Sequence, residues 1–147
     1  MISIFNPLRD YHNLIFSITN ALINPILLIV RVYIAWLFFK SGLTKIDNWE
    51  STLFLFEYEY MVPFFSPYWA ALLATIAELL LPVLLVIGLF TRISAIGLTL
   101  VNVMAVVAYE DMSAAAFNLH LVWGLAILIL IFWGAGKISV DKLIGLK

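Results

Sequence analysis

Four apolar stretches constrain this chain more than any other feature: Pro25–Leu43, Tyr68–Phe90, Ile93–Tyr109 and Ala114–Ala135. Each is close to the ~20 residues that a helix needs to cross bilayer hydrocarbon, the third being the shortest. Exposed backbone N–H and C=O groups are prohibitive in that medium, so the stretches are predicted helical and their connectors fall at the interfaces or outside. Composition leaves little alternative. Of 147 residues, 65% are hydrophobic and 12% charged, and the mean hydropathy of +1.09 is too high for one soluble core. The predicted fold class is all-α, an integral membrane bundle of four transmembrane helices in contact with the lipid bilayer.

Charge and cysteine content narrow the chemistry. Formal net charge is −1 with no basic run, so the footprint of a nucleic-acid binder is missing and no nucleic acid is expected as a partner. Cysteine is absent, which excludes disulfides, thiolate metal sites and iron–sulfur clusters held by the chain itself. The two histidines, His12 and His120, are predicted at opposite surfaces, so no intrinsic haem or other resident cofactor is expected and any redox role needs a borrowed electron carrier. No Gly-rich phosphate loop follows a strand and no Ser/His/Asp or Cys/His set occurs, which removes hydrolase and nucleotide-driven readings.

Two parts are distinguished along the chain. In residues 1–24, Ile4, Leu8, Tyr11, Ile15, Ile18 and Leu22 recur at helical spacing between polar residues, which predicts an amphipathic helix lying along the inner surface. It lacks the basic start, compact apolar run and small-residue cleavage site of a signal peptide. Residues 25–147 form the transmembrane domain. Its long connector, residues 44–67, carries aromatics suited to a headgroup belt. Within it Asn48 suits an N-cap and Glu50 a first turn, which predicts a short interfacial helix from Trp49 to about Tyr60. Gly88, Thr91 and Arg92 mark a tight turn between the second and third spans.

Orientation follows from the basic residues near the spans. Arg9, Arg92, Lys137, Lys142 and Lys147 fall on one side against Lys45 on the other, which places both termini in the cytoplasm.

Ionisable groups within a span are costly and are functional candidates by default. Arg31, Lys45, Glu78, Asn102 and His120 are the candidate intramembrane polar site; Lys40 is expected to snorkel to headgroups. Arg31 and Lys45 share a helical stripe and face the same partner. Arg31 lies roughly 9 Å and Glu78 roughly 15 Å above the inner boundary at ~1.5 Å per residue, which predicts that the two meet. Such a pair either fixes register or forms a site for a quinone headgroup, a proton or another polar ligand. Asn102 is expected to make an interhelical hydrogen bond or line the Glu78 cavity, and His120 to be a hydrogen-bonded core histidine. No metal site is predicted: His120 has no ligand at suitable spacing, and Met61 and Met112 on the same side do not complete a set.

Arg31, Gly42 and Lys45, then Glu78 and the Leu-rich run to Gly88, Leu89, Thr91 and Arg92, then Gly136, Ile138, Ser139, Val140 and Asp141 together resemble the DoxX-like four-helix membrane proteins, from about Pro25 to the C-terminus. The resemblance implies a bacterial inner-membrane bundle linked in some relatives to redox work, including the membrane subunit of a thiosulfate:quinone oxidoreductase. It implies an accessory or quinone-interacting subunit of a membrane redox system, with a partner redox protein or a second copy of the chain as neighbours and quinone as a borrowed carrier. Catalytic residues are unassigned; any enzyme role would be that of a subunit without its own cofactor. A carrier or channel-like protein for a small solute or metal, and a structural scaffold, stay open as alternatives.

Overall fold

The computed structural model describes residues 6–146, with side chains from residue 9 onward; Ile4, the Leu8 side chain and Lys147 lie outside it. Six helices follow in order: α1 Asn6–Asp47, α2 Trp49–Tyr58, α3 Pro67–Ile87, α4 Thr91–Ala108, α5 Ala114–Trp133 and the single turn α6 Val140–Leu143. There is no strand among the described residues. α1, α3, α4 and α5 are each long and apolar enough to cross a membrane, and no further span is present among them.

The described part of the amphipathic segment, residues 6–24, is helical and runs into the first span without a break, so that α1 has 42 residues with Pro25 inside it. At ~1.5 Å per residue this is about 63 Å, twice the ~30 Å of bilayer hydrocarbon. Arg9–Leu22 is exposed on every face, and packing within the bundle begins with Ile23 and Leu27.

α2 starts where the cap was predicted. Asn48 Oδ1 accepts from Ser51 N at 2.9 Å, satisfying one donor that a helix start leaves open. Of its buried residues Thr52 and Phe56, Phe56 packs with Ala70 and Ala71 at the connector end of α3, and Thr52 Oγ1 donates to Lys45 O of α1 at 2.9 Å. α3 opens with Pro67 in its first turn, where a missing N–H costs nothing. It closes on Gly88 at φ 71°, with Leu89 N donating to Leu84 O and Gly88 N to Leu85 O, the crossed pair of a left-handed helix stop.

α1 packs on α3, α3 on α4 and α4 on α5, and α5 returns to α1. Leu27, Ile34, Ala35 and Phe38 of α1 meet Leu85, Ala95, Leu98, Ile127 and Leu130 in the shared core. Close approach is set by small residues: a Cβ at Gly42 would stand 2.9 Å from Leu79 and 3.1 Å from the backbone of Glu78, so only glycine lets α1 and α3 touch there. Outward residues such as Ile29, Trp36, Leu100 and Leu125 are largely exposed and form the lipid-facing surface.

The ends of the bundle differ in composition. One end, the basic end, gathers the α3–α4 turn, residues 134–146 and the Asn24 region, joined by Lys137 N donating to Asn24 Oδ1 at 2.8 Å. Arg92, Lys137 and Lys142 lie there. The connector end gathers α2, residues 59–66 and residues 109–113, joined by Met61 N donating to Ala108 O at 2.8 Å.

Candidate functional site

Arg31 and Glu78, predicted to meet, do not. Arg31 is 1% exposed and spends its guanidinium on backbone carbonyls: Nε on Leu85 O at 2.8 Å, Nη1 on Ala135 O at 2.9 Å and Ile138 O at 2.7 Å, and Nη2 on Val86 O. The cause is direction. A helical Cα–Cβ bond tilts toward its own N-terminus, so Arg31 points to the basic end, where α3 stops and its last carbonyls lack helical partners. A cation at a helix C-terminus is doubly suited, by hydrogen bonding and by the dipole. Gly88 makes room for it: a Cβ there would lie 2.5 Å from Arg31 Nη2.

The same tilt brings Lys45 to Glu78. Lys45 leans back along α1 and Glu78 leans toward the start of antiparallel α3, so that Nζ donates to Glu78 Oε2 at 2.6 Å and to Ser41 Oγ at 3.0 Å. The side chains are 18% and 8% exposed. Among the described residues no donor reaches Glu78 Oε1. Both residues line a cavity of about 820 Å³ between the spans and the connector.

His120 lines the same cavity from α5. Its Nδ1 is 2.8 Å from Asn102 Oδ1, while Asn102 Nδ2 donates to the His120 carbonyl at 3.0 Å, the interhelical link expected of Asn102. Thus the cavity joins Lys45, Glu78 and His120, with Asn102 buried behind His120, and excludes Arg31. Lys40 is exposed. No group of three or more His, Asp or Glu suited to a metal ion occurs among the described residues.

Sequence reasoning missed several cavity residues. Tyr60 and Tyr109 stand edge to face, centroids 5.7 Å apart, at the connector end of the cavity. Burial, then the neighbouring Tyr109, Glu78 and Glu59, push the Tyr60 hydroxyl above the usual phenol range, so it remains a hydrogen-bond donor. Trp123 also lines the cavity, and its enclosed indole N–H has no acceptor among the described residues. The remaining wall is mostly apolar. Leu73 and Leu100 line the cavity as well and are 48% and 64% exposed, so the cavity is not closed there.

Asp141 was noticed only as a motif position. Its Oδ1 accepts from Phe90 N at 2.8 Å and Oδ2 from Thr91 N at 2.9 Å. It therefore caps α4 from a distant segment, and its charge complements the helix start.

Fold and site define a polytopic helical membrane protein with a polar-edged cavity inside its bundle. Comparison with known proteins gives the family: the DoxX family model matches residues 26–111, more than half of the chain, and the protein belongs to the DoxX family. An uncharacterized protein of Haemophilus influenzae is 37% identical over 129 residues, covering 80% of this chain and 82% of that protein. No solved structure matches. The family match includes Arg31, Lys45, Glu78 and Asn102 but stops short of His120 and of the closing Gly136–Asp141 segment.

Proposed function

We propose that the cavity receives the ring of a quinone-type lipid and that the protein is an accessory, quinone-interacting subunit of a membrane redox system. The observation that carries this reading is a largely apolar cavity of about 820 Å³, polar at Lys45–Glu78 and at His120, whose lining includes the exposed Leu73 and Leu100. Its size falls within the ~300–1,000 Å³ of small-molecule sites. A lipid-soluble ring with oxygen substituents suits such walls: apolar faces bury its body, and the few polar groups orient it. Lys45, Glu78, Tyr60 and His120 would hold its oxygens.

The bound ring supplies the electron chemistry; the chain supplies position and proton-carrying groups. Lys45 Nζ donates to Glu78 Oε2 at 2.6 Å, which fixes both side chains at the cavity and leaves Glu78 Oε1 without a partner among the described residues. Mass spectrometry of lipids retained after gentle solubilisation is expected to find quinone in wild-type protein and its depletion in a Lys45→Met, Glu78→Leu double variant. Equal retention by both would contradict the proposal.

The same reading locates the protein in a bacterial inner membrane with both termini cytoplasmic, beside a partner redox protein or a second copy. The basic end, with Arg92, Lys137 and Lys142, supports this orientation through the bias of basic residues to the cytoplasmic side. An impermeant thiol reagent applied to intact cells is expected to label a cysteine at position 50 and not one at position 142. The reverse pattern would invert the topology.

A further inference from the structure

The Asn102–His120 link determines which ring nitrogen of a neutral His120 carries the hydrogen. The His120 carbonyl oxygen can only accept, so the Asn102 amide must turn its nitrogen toward it, at 3.0 Å. The amide oxygen then lies on the other side, 2.8 Å from His120 Nδ1. An amide oxygen also only accepts, which puts the imidazole hydrogen on Nδ1 and a lone pair on Nε2 in the neutral ring. Asn102 is 5% exposed, and Gly124 leaves its amide room, since a Cβ there would come within 3.3 Å of Nδ2. Among the described residues Nε2 has no hydrogen-bond partner, and His120 lines the cavity beside Trp123, ring centroids 4.9 Å apart at 69°.

We infer that His120 Nε2, held unprotonated by Asn102, is a hydrogen-bond acceptor that makes the cavity select the hydroxyl-bearing, reduced form of a quinone-type ring over its carbonyl form. This inference rests on the proposed quinone-type reading of the cavity. A ring hydroxyl donates to the Nε2 lone pair, whereas a ring carbonyl would set two acceptors against each other and leave both unsatisfied. Glu78 Oε1, without a donor among the described residues, is a second acceptor in the same cavity. Asn102 is a positioning residue, acting through His120.

The test uses the full chain in nanodiscs with decylubiquinol and decylubiquinone as probes and ¹⁵N-histidine labelling. At mildly alkaline pH, the imidazole signal lost in His120→Gln is expected to show the hydrogen on Nδ1. Calorimetric titration is expected to give decylubiquinol roughly tenfold tighter binding, the worth of about one well-made hydrogen bond. In Asn102→Leu the tautomer preference should vanish and the two affinities converge to within about twofold, with decylubiquinone still bound. Wild-type protein decides the matter even where that variant does not fold. A hydrogen on Nε2, or equal or tighter binding of decylubiquinone, would overturn the inference and leave the quinone reading standing. Binding of neither probe would overturn both.

Discussion

Arg31 and Glu78 are both nearly inaccessible, 1% and 6% exposed, yet they stand in unlike surroundings. Around Arg31 every nitrogen is engaged: four carbonyls from the end of α3 and the chain after α5 take four of its five N–H hydrogens. That arrangement holds three segments together, and no nitrogen is without a partner. Around Glu78 the accounting is open. One oxygen holds Lys45, the other has no donor among the described residues, and a cavity lies in front. An intramembrane charge is thus a sign of function only where its surroundings leave part of it unsatisfied.

Removing Arg31 should have the largest effect on stability. Arg31→Met strands two buried and two part-buried carbonyls, and a loss on the order of 3–5 kcal/mol is expected in detergent unfolding, because each unsatisfied buried group costs about 1–3 kcal/mol. Arg31→Lys should recover little of it, since an ammonium cannot span carbonyls that a planar fork reaches. A stable Arg31→Met variant would show that the two ends do not differ as described. Next is Glu78→Leu alone, which leaves Lys45 without its carboxylate. About 2 kcal/mol is expected, below the ~3–5 kcal/mol of a fully buried pair because Lys45 retains 18% exposure.

Gly88→Ala sharpens the picture of the basic end, combining φ 71° with a Cβ 2.5 Å from Arg31. Strain and displacement together should cost about 1–3 kcal/mol, and Arg31→Met should diminish that cost because part of the clash disappears. Asp141→Asn is expected to be mildest, about 1 kcal/mol from a weakened cap and lost helix-dipole interaction, read as a small shift in melting temperature.

The physical basis of the spans made them legible in sequence: apolar stretches near 20 residues leave few alternatives. Asn48 was equally readable, because a cap is a local hydrogen bond three residues long. The Arg31–Glu78 expectation failed because depth along the helix was considered without the tilt of Cα–Cβ. With that tilt included, Lys45 becomes the residue that leans toward Glu78. The carbonyls of Ala135 and Ile138 could not be foreseen, since irregular chain after α5 carries no periodic signal. The Asn102–His120 link was open to inference: Asn102 lies six residues before the end of α4 and His120 six after the start of α5, so a short turn between antiparallel helices sets them level. Tyr60 reads in sequence as one of the connector's belt aromatics and Trp123 as one apolar residue of its span, because nothing local distinguishes an aromatic that faces a cavity from one that faces lipid.

In the proposed function the Lys45–Glu78 end binds a ligand, while the Arg31 end holds the bundle together. The most direct test measures stability and decylubiquinol affinity together in Lys45→Met, Glu78→Leu. Replacing both partners of a buried pair by apolar residues is often near neutral, so stability should stay within about 1 kcal/mol of wild type while affinity falls at least roughly tenfold, the loss of one or more hydrogen bonds. Wild-type affinity in a stable double variant would contradict the account.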